Sequence, residues 1–112
     1  MLTLMLLYIS SGLLLAALSI PLIRRKIKPN GLFGFRVSAT MENPELWYNV
    51  NEFAGRRLLV VGIAIALAAL LLYVWPGLNL TVDSYALSVM GVVFGLLIWA
   101  MITSFLYLKS LT

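Results

Sequence analysis

MLTLMLLYISSGLLLAALSIPLIRRKIK, residues 1–28, decides the class of fold. Residues 1–23 carry no charged side chain. As a helix they extend roughly 34 Å at 1.5 Å per residue, enough to cross the roughly 30 Å hydrocarbon core of a bilayer. The cations Arg24, Arg25, Lys26 and Lys28 follow the apolar run instead of preceding it. A secretory signal has the opposite order, with a basic start and a small-residue cleavage site at its end. The arrangement is that of a stop-transfer segment, so residues 1–23 are expected to remain as a membrane span.

Two further uncharged runs lie downstream. Leu58–Trp75 is closed by Pro76 and Gly77, with Tyr73 and Trp75 suited to the aromatic belt at the membrane interface. Tyr85–Leu108 is the third, after a short connector whose one charge is Asp83. The chain therefore reads as an all-α integral membrane protein, a single membrane domain over residues 1–112. It is a three-transmembrane-helix bundle with a structured cytoplasmic loop and an interfacial helix in the segment 24–57. Seven of the eight basic residues lie in that segment and the eighth, Lys109, follows span three. Lysine and arginine concentrate on the cytoplasmic side. This puts the loop and the C-terminus in the cytoplasm and the N-terminus outside, in the cell membrane.

Composition narrows the chemistry. Hydrophobic residues make up 62% of the chain and charged residues 11%, with no histidine and no cysteine. Thiolate chemistry and Cys-based metal sites are excluded, and the commonest general base and metal ligand is missing. No Asp, Glu, Lys or Arg falls inside any span, so the acid and base relays of pumps are missing as well. The expectation is a protein that is not an enzyme and has no cofactor and no metal. A net charge of +4 reports topology and headgroup contact, not direct nucleic-acid binding.

Small residues mark candidate packing faces. Ser84, Ser88, Gly91 and Gly95 are spaced four, three and four along span three, and Gly91 and Gly95 form a GxxxG pair. Gly62, Ala66 and Ala69 line a comparable face of span two. Packing within the three-helix bundle is the ordinary reading. A homo-oligomer through the glycine face is the alternative.

The remaining information lies between Arg24 and Arg57. Pro29-Asn30-Gly31 reads as a turn, and Gly34 as a site of close backbone approach. Leu32, Phe33 and Phe35 are too apolar for a free loop and are expected to fold back onto the interface or the bundle. That would bring Arg36 towards the next helix. Asn43-Pro44-Glu45 is a helix start, with an N-cap, proline at the first turn and an acid behind it. On that helix Trp47, Asn51, Ala54 or Gly55, and Leu58 share one face, while Glu45, Asn49, Glu52 and Arg56 share another. Glu52 and Arg56 are spaced for an i,i+4 ion pair. A guanidinium over the Trp47 indole would gain about 0.5–2 kcal/mol, and the Asn51 side-chain carbonyl can accept one of its N–H groups.

The order PN-x-x-x-GFR, then a threonine, then W-x-x-x-N-x-x-x-G at the head of a membrane helix resembles the SdpI family of bacterial membrane proteins. Here those positions are Pro29, Asn30, Gly34, Phe35, Arg36, Thr40, Trp47, Asn51 and Gly55. The entry IPLIRRKI also matches, whereas Val37-Ser38 replaces the usual Thr-Pro. The resemblance implies a binding role for Asn30, Gly34, Phe35, Arg36, Thr40, Trp47, Asn51 and Gly55. It further implies immunity to, or sensing of, a membrane-active peptide toxin, coupled in some members to capture of a cytoplasmic repressor. The expected partners are the lipid bilayer, a toxin peptide or a cytoplasmic repressor. Two alternatives stand beside this one: an accessory subunit bound to a larger membrane complex through its glycine face, and a lipid-headgroup-binding protein with Arg36 on the phosphate.

Overall fold

The computed structural model describes residues 1–30, 34, 38–75, 77 and 79–111, with backbone only at 38 and 39. Four helices follow in order: α1 (Leu2–Ile23), α2 (Ser38–Glu42), α3 (Pro44–Val74) and α4 (Val82–Leu111). No strand occurs among the described residues. Helices α1, α3 and α4 are each long and apolar enough to cross a membrane. Large aliphatic side chains such as Leu7, Leu14, Leu67 and Leu106 lie on the outside, as lipid-facing surface requires.

Span two is the later part of a longer helix. Residues 44–57 run without interruption into the apolar stretch as the first turns of α3. The segment before them takes the form of the five-residue α2. Asn43 caps α3, its Oδ1 accepting from the backbone N–H of Glu45 at 3.1 Å and of Leu46 at 3.3 Å. Pro44 occupies the first turn, where its missing N–H costs nothing.

Helix α3 is central, and both other spans pack on it. Its contact with α1 brings backbone against backbone. A Cβ at Gly12 would stand 2.5 Å from the Gly62 carbonyl oxygen, and one at Gly62 would overlap the Gly12 carbonyl oxygen and reach the Ala16 nitrogen at 2.8 Å. Seven residues along each helix the approach recurs, where a Cβ at Gly55 would meet the Ser19 carbonyl oxygen at 3.1 Å and Leu22 and Ile23 at 3.0 Å. Lipid tails are as apolar as leucine, so such close packing is what holds two membrane helices together.

The small face of α3 therefore meets α1. The expectation that Ser88, Gly91 and Gly95 pack the bundle is corrected. Among the described residues nothing lies within 4 Å of a Cβ placed at Gly91 or Gly95. Ser88 is exposed, with its hydroxyl donating to the Ser84 carbonyl at 2.7 Å. The physical reason is rotational. α4 turns a different face towards α3, with Tyr85 and Val89 buried against Ala69 and Ala100 buried against Val61 and Ile65. Tyr85 Oη donates to the Ala69 carbonyl at 2.7 Å. At that same end Tyr8 of α1 reaches α4, donating to the Ala86 carbonyl at 3.3 Å and meeting the Tyr85 ring edge-on.

Candidate functional site

Three of the motif residues, Gly34, Trp47 and Asn51, gather where the basic loop meets the head of α3. Trp47, Asn51 and Gly55 recur every four residues and so fall on one helical face, and all three are buried. Trp47 has no exposed surface. Its indole Nε1 donates to the Ile27 carbonyl at 2.8 Å, tying the chain just beyond α1 to α3. Asn51 Nδ2 donates to the Trp47 carbonyl at 2.9 Å. That bond turns its Oδ1 outward from the helix.

Gly34 meets this pair from the loop. Its φ of +109° lies in a region that side chains with a Cβ rarely enter. A Cβ there would stand 2.7 Å from Asn51 Oδ1 and 3.1–3.2 Å from two indole carbons of Trp47. Two separate constraints, conformation and space, demand glycine at this position. Thr40, in α2, is fully buried. Asn30 folds locally, its Nδ2 donating to the Lys28 carbonyl at 2.7 Å.

A second tie was not visible in the sequence. Arg25 closes α1 in the left-handed region at φ 60°. The N–H of Lys26 donates to the Pro21 carbonyl at 2.9 Å and that of Arg25 to the Leu22 carbonyl at 3.2 Å. This is the Schellman pattern, which normally takes glycine at the left-handed position. An L-residue there costs about 1–2 kcal/mol. The Arg25 guanidinium donates to Asn49 Oδ1 at 2.7 Å and to Glu52 Oε2 at 3.0 Å. Arg56 holds the other oxygen of Glu52 at 3.4 Å, as the i,i+4 spacing suggested. Glu52 lies ahead of the uncharged run that begins at Leu58. The hydrogen bond from Arg25, assisted by the charges of Arg25 and Arg56 and opposed by partial burial, holds its carboxyl below the usual carboxylate range.

The structure thus brings together Gly34, Trp47 and Asn51, and seats Gly55 about one turn of helix beyond Asn51, against α1. Phe35 and Arg36 lie outside the described residues. Sequence reasoning missed Arg25, Asn49 and the Ile27 carbonyl as partners, and Gly12 as the counterpart of Gly62. For Gly12 a signal existed: Gly12, Ala16 and Ser19 repeat the four-three spacing of small residues on α1. No three histidine, cysteine or acidic side chains among the described residues group as metal ligands.

Three apolar helices and a loop pinned to the basic end of the bundle define a multi-pass helical membrane protein. Residues 26–108 match the model of the SdpI/YfhL protein family. The match covers most of the chain, and the chain belongs to that family. Among curated proteins and among solved structures, none matches it.

Proposed function

We propose that this chain confers immunity to, or senses, a membrane-active peptide toxin, with its pinned loop as the surface that captures a cytoplasmic repressor. One observation carries the reading: Gly34, from the loop, lies against Trp47 and Asn51 of α3. Residues that make up the family's motif thereby fix the position of the loop at Gly34. A surface fixed in advance loses less entropy when a partner docks. The positive-inside rule assigns this end to the cytoplasm and the N-terminus to the outside. A toxin arriving from outside then meets the protein within the bilayer, and the loop is left for the cytoplasmic partner. Arg36, two residues beyond Gly34, is the proposed recognition cation, with a planar fork that lysine cannot reproduce.

The test is survival of a toxin-sensitive host that expresses the chain, together with sedimentation of the toxin operon's repressor with the membranes. Wild type should protect the host or recruit the repressor. Arg36→Lys should abolish the effect at unchanged membrane abundance. Failure of wild type in both assays, at normal expression, would sink the reading. The open Gly91–Gly95 face of α4 favours a second reading, as an accessory subunit or a homo-oligomer. Crosslinking through a cysteine placed at Ser88 would separate the two.

A further inference from the structure

Arg57 stands immediately before the uncharged run of α3. From Arg57 to the end of the helix at Val74 is roughly 26 Å at 1.5 Å per residue. That is close to the hydrocarbon thickness, so Arg57 sits at the edge of the apolar layer on the basic side. Its guanidinium carbon lies 4.6 Å from the centre of the Phe53 ring and 4.9 Å from that of Trp99 on α4. Phe53 is backed in turn by Tyr107, whose ring stacks on it at 4.3 Å with planes 8° apart. Three rings from two helices therefore fix one cation in place.

The cation has no counter-ion among the described residues. Glu52, the nearest acid in the chain, is bound by Arg25 and Arg56. Arg57 Nε is shut away from solvent with no hydrogen-bond partner. The terminal nitrogens likewise make no hydrogen bond to any described residue, and they are the donors that remain accessible. A guanidinium held between rings with its terminal N–H pair free is suited to a bidentate phosphate. At this depth the available phosphates belong to lipids, and Trp99 beside it is partly exposed on the lipid-facing surface.

We infer that Arg57, framed by Phe53 and Trp99, is a binding site for the phosphodiester of one lipid headgroup in the leaflet on the basic side. The site is separate from the Gly34–Trp47–Asn51 contact and does not depend on the proposed immunity role. Its recognition chemistry is a charge-assisted, two-point contact to phosphate oxygen, with the acyl chains lying along α4 next to Trp99.

The test is lipid retention by the full chain in detergent, measured by native mass spectrometry. Three probes are used: phosphatidylglycerol, diacylglycerol, which has the chains but no phosphate, and inorganic phosphate, which has no chains. Wild type should retain one phosphatidylglycerol in preference to diacylglycerol, and millimolar inorganic phosphate should not displace it. Retention should fall at least about tenfold in Arg57→Gln, since the loss of even one of the two charge-assisted hydrogen bonds is on that scale. It should fall measurably in Arg57→Lys, which keeps the charge at the membrane edge and so tests the site even if Arg57→Gln fails to insert. Arg24→Gln, in the loop cluster, should retain lipid like wild type. Full retention by Arg57→Lys, or equal loss in Arg24→Gln, would replace the site with diffuse charge attraction. Displacement by inorganic phosphate would make the ligand a free anion and overturn the lipid assignment.

Discussion

The indole nitrogen of Trp47 donates to the backbone carbonyl of Ile27, twenty residues earlier, at 2.8 Å. A phenylalanine would fill most of the same space but leave that part-buried carbonyl without its donor. Trp47→Phe should therefore cost about 0.5–1.5 kcal/mol, the worth of one ordinary hydrogen bond. Proteolysis within residues 26–30 should quicken at the same time. Trp47→Ala should cost about 3–5 kcal/mol through the cavity it leaves. Thermal melting in detergent and limited proteolysis measure both. Wild-type behaviour of Trp47→Phe would show that the ring's bulk alone holds the loop.

Gly34→Ala must adopt an unfavourable φ and also displace Asn51 Oδ1 or the Trp47 ring. The conformational part alone is about 1–2 kcal/mol. Gly34→Ala/Asn51→Ala removes the nearest obstacle and should recover some of the loss, never all of it, because φ is unchanged. Full recovery in a melting experiment would mean that space, and not conformation, selects glycine here.

Arg25 gives an unusual pair of variants. Arg25→Ala loses the bonds to Asn49 and Glu52 and keeps the left-handed strain. Arg25→Gly loses the same bonds and relieves the strain, so it should be the more stable of the two by about 1 kcal/mol. The ion pair is part-exposed and contributes at most about 1 kcal/mol. Glu52 titrates lower when bound by Arg25 than when free. The contribution of the pair is therefore complete above the free carboxyl's pKa and is lost as pH falls through the lower, bound value. Loop proteolysis followed against pH should accelerate only on that acidic side.

Gly12→Leu and Gly62→Leu should each separate α1 from α3 and prevent stable folding in detergent. Gly91→Ile and Gly95→Ile should leave the monomer's melting unchanged, since a Cβ at either position meets no described residue within 4 Å. If the α4 variants melt early while the protein migrates as a dimer, the open face is an interface between copies.

What could be read in advance, and what could not, divides along physical lines. Leu58–Trp75 and Tyr85–Leu108 were legible as spans because solvation by lipid is a property of composition. Trp47, Asn51 and Gly55 were legible as one face because helical periodicity is local. Helix partners were not legible. Gly12-Ala16-Ser19 and Ser84-Ser88-Gly91 present the same small-residue rhythm, and only the rotation of each helix about its axis decides which meets Gly62. Arg25 was hidden for a different reason: its backbone conformation runs against its own propensity and depends on Asn49 and Glu52, distant in sequence.

Orientation has its own check. A cysteine at Asn79 should react with a membrane-impermeant thiol reagent on intact cells, and one at Ser110 only after permeabilisation. The reverse pattern would turn the protein over in the membrane and remove the repressor from reach of the loop.

The Gly12–Gly62 contact also bears on the order in which the protein is made. α1 and the loop leave the ribosome before α3, and α4 emerges last. Every contact that joins α1 and the loop to α3 lies within residues 1–74, so that pair can close before α4 is translated. α4 is then added against a finished surface, through Tyr85 and the Phe53–Tyr107 stack, with its glycines Gly91 and Gly95 turned away from the described residues. A ribosome stalled late in translation should therefore already display a protease-resistant α1–α3 pair, and a harsh detergent should strip α4 from that pair first.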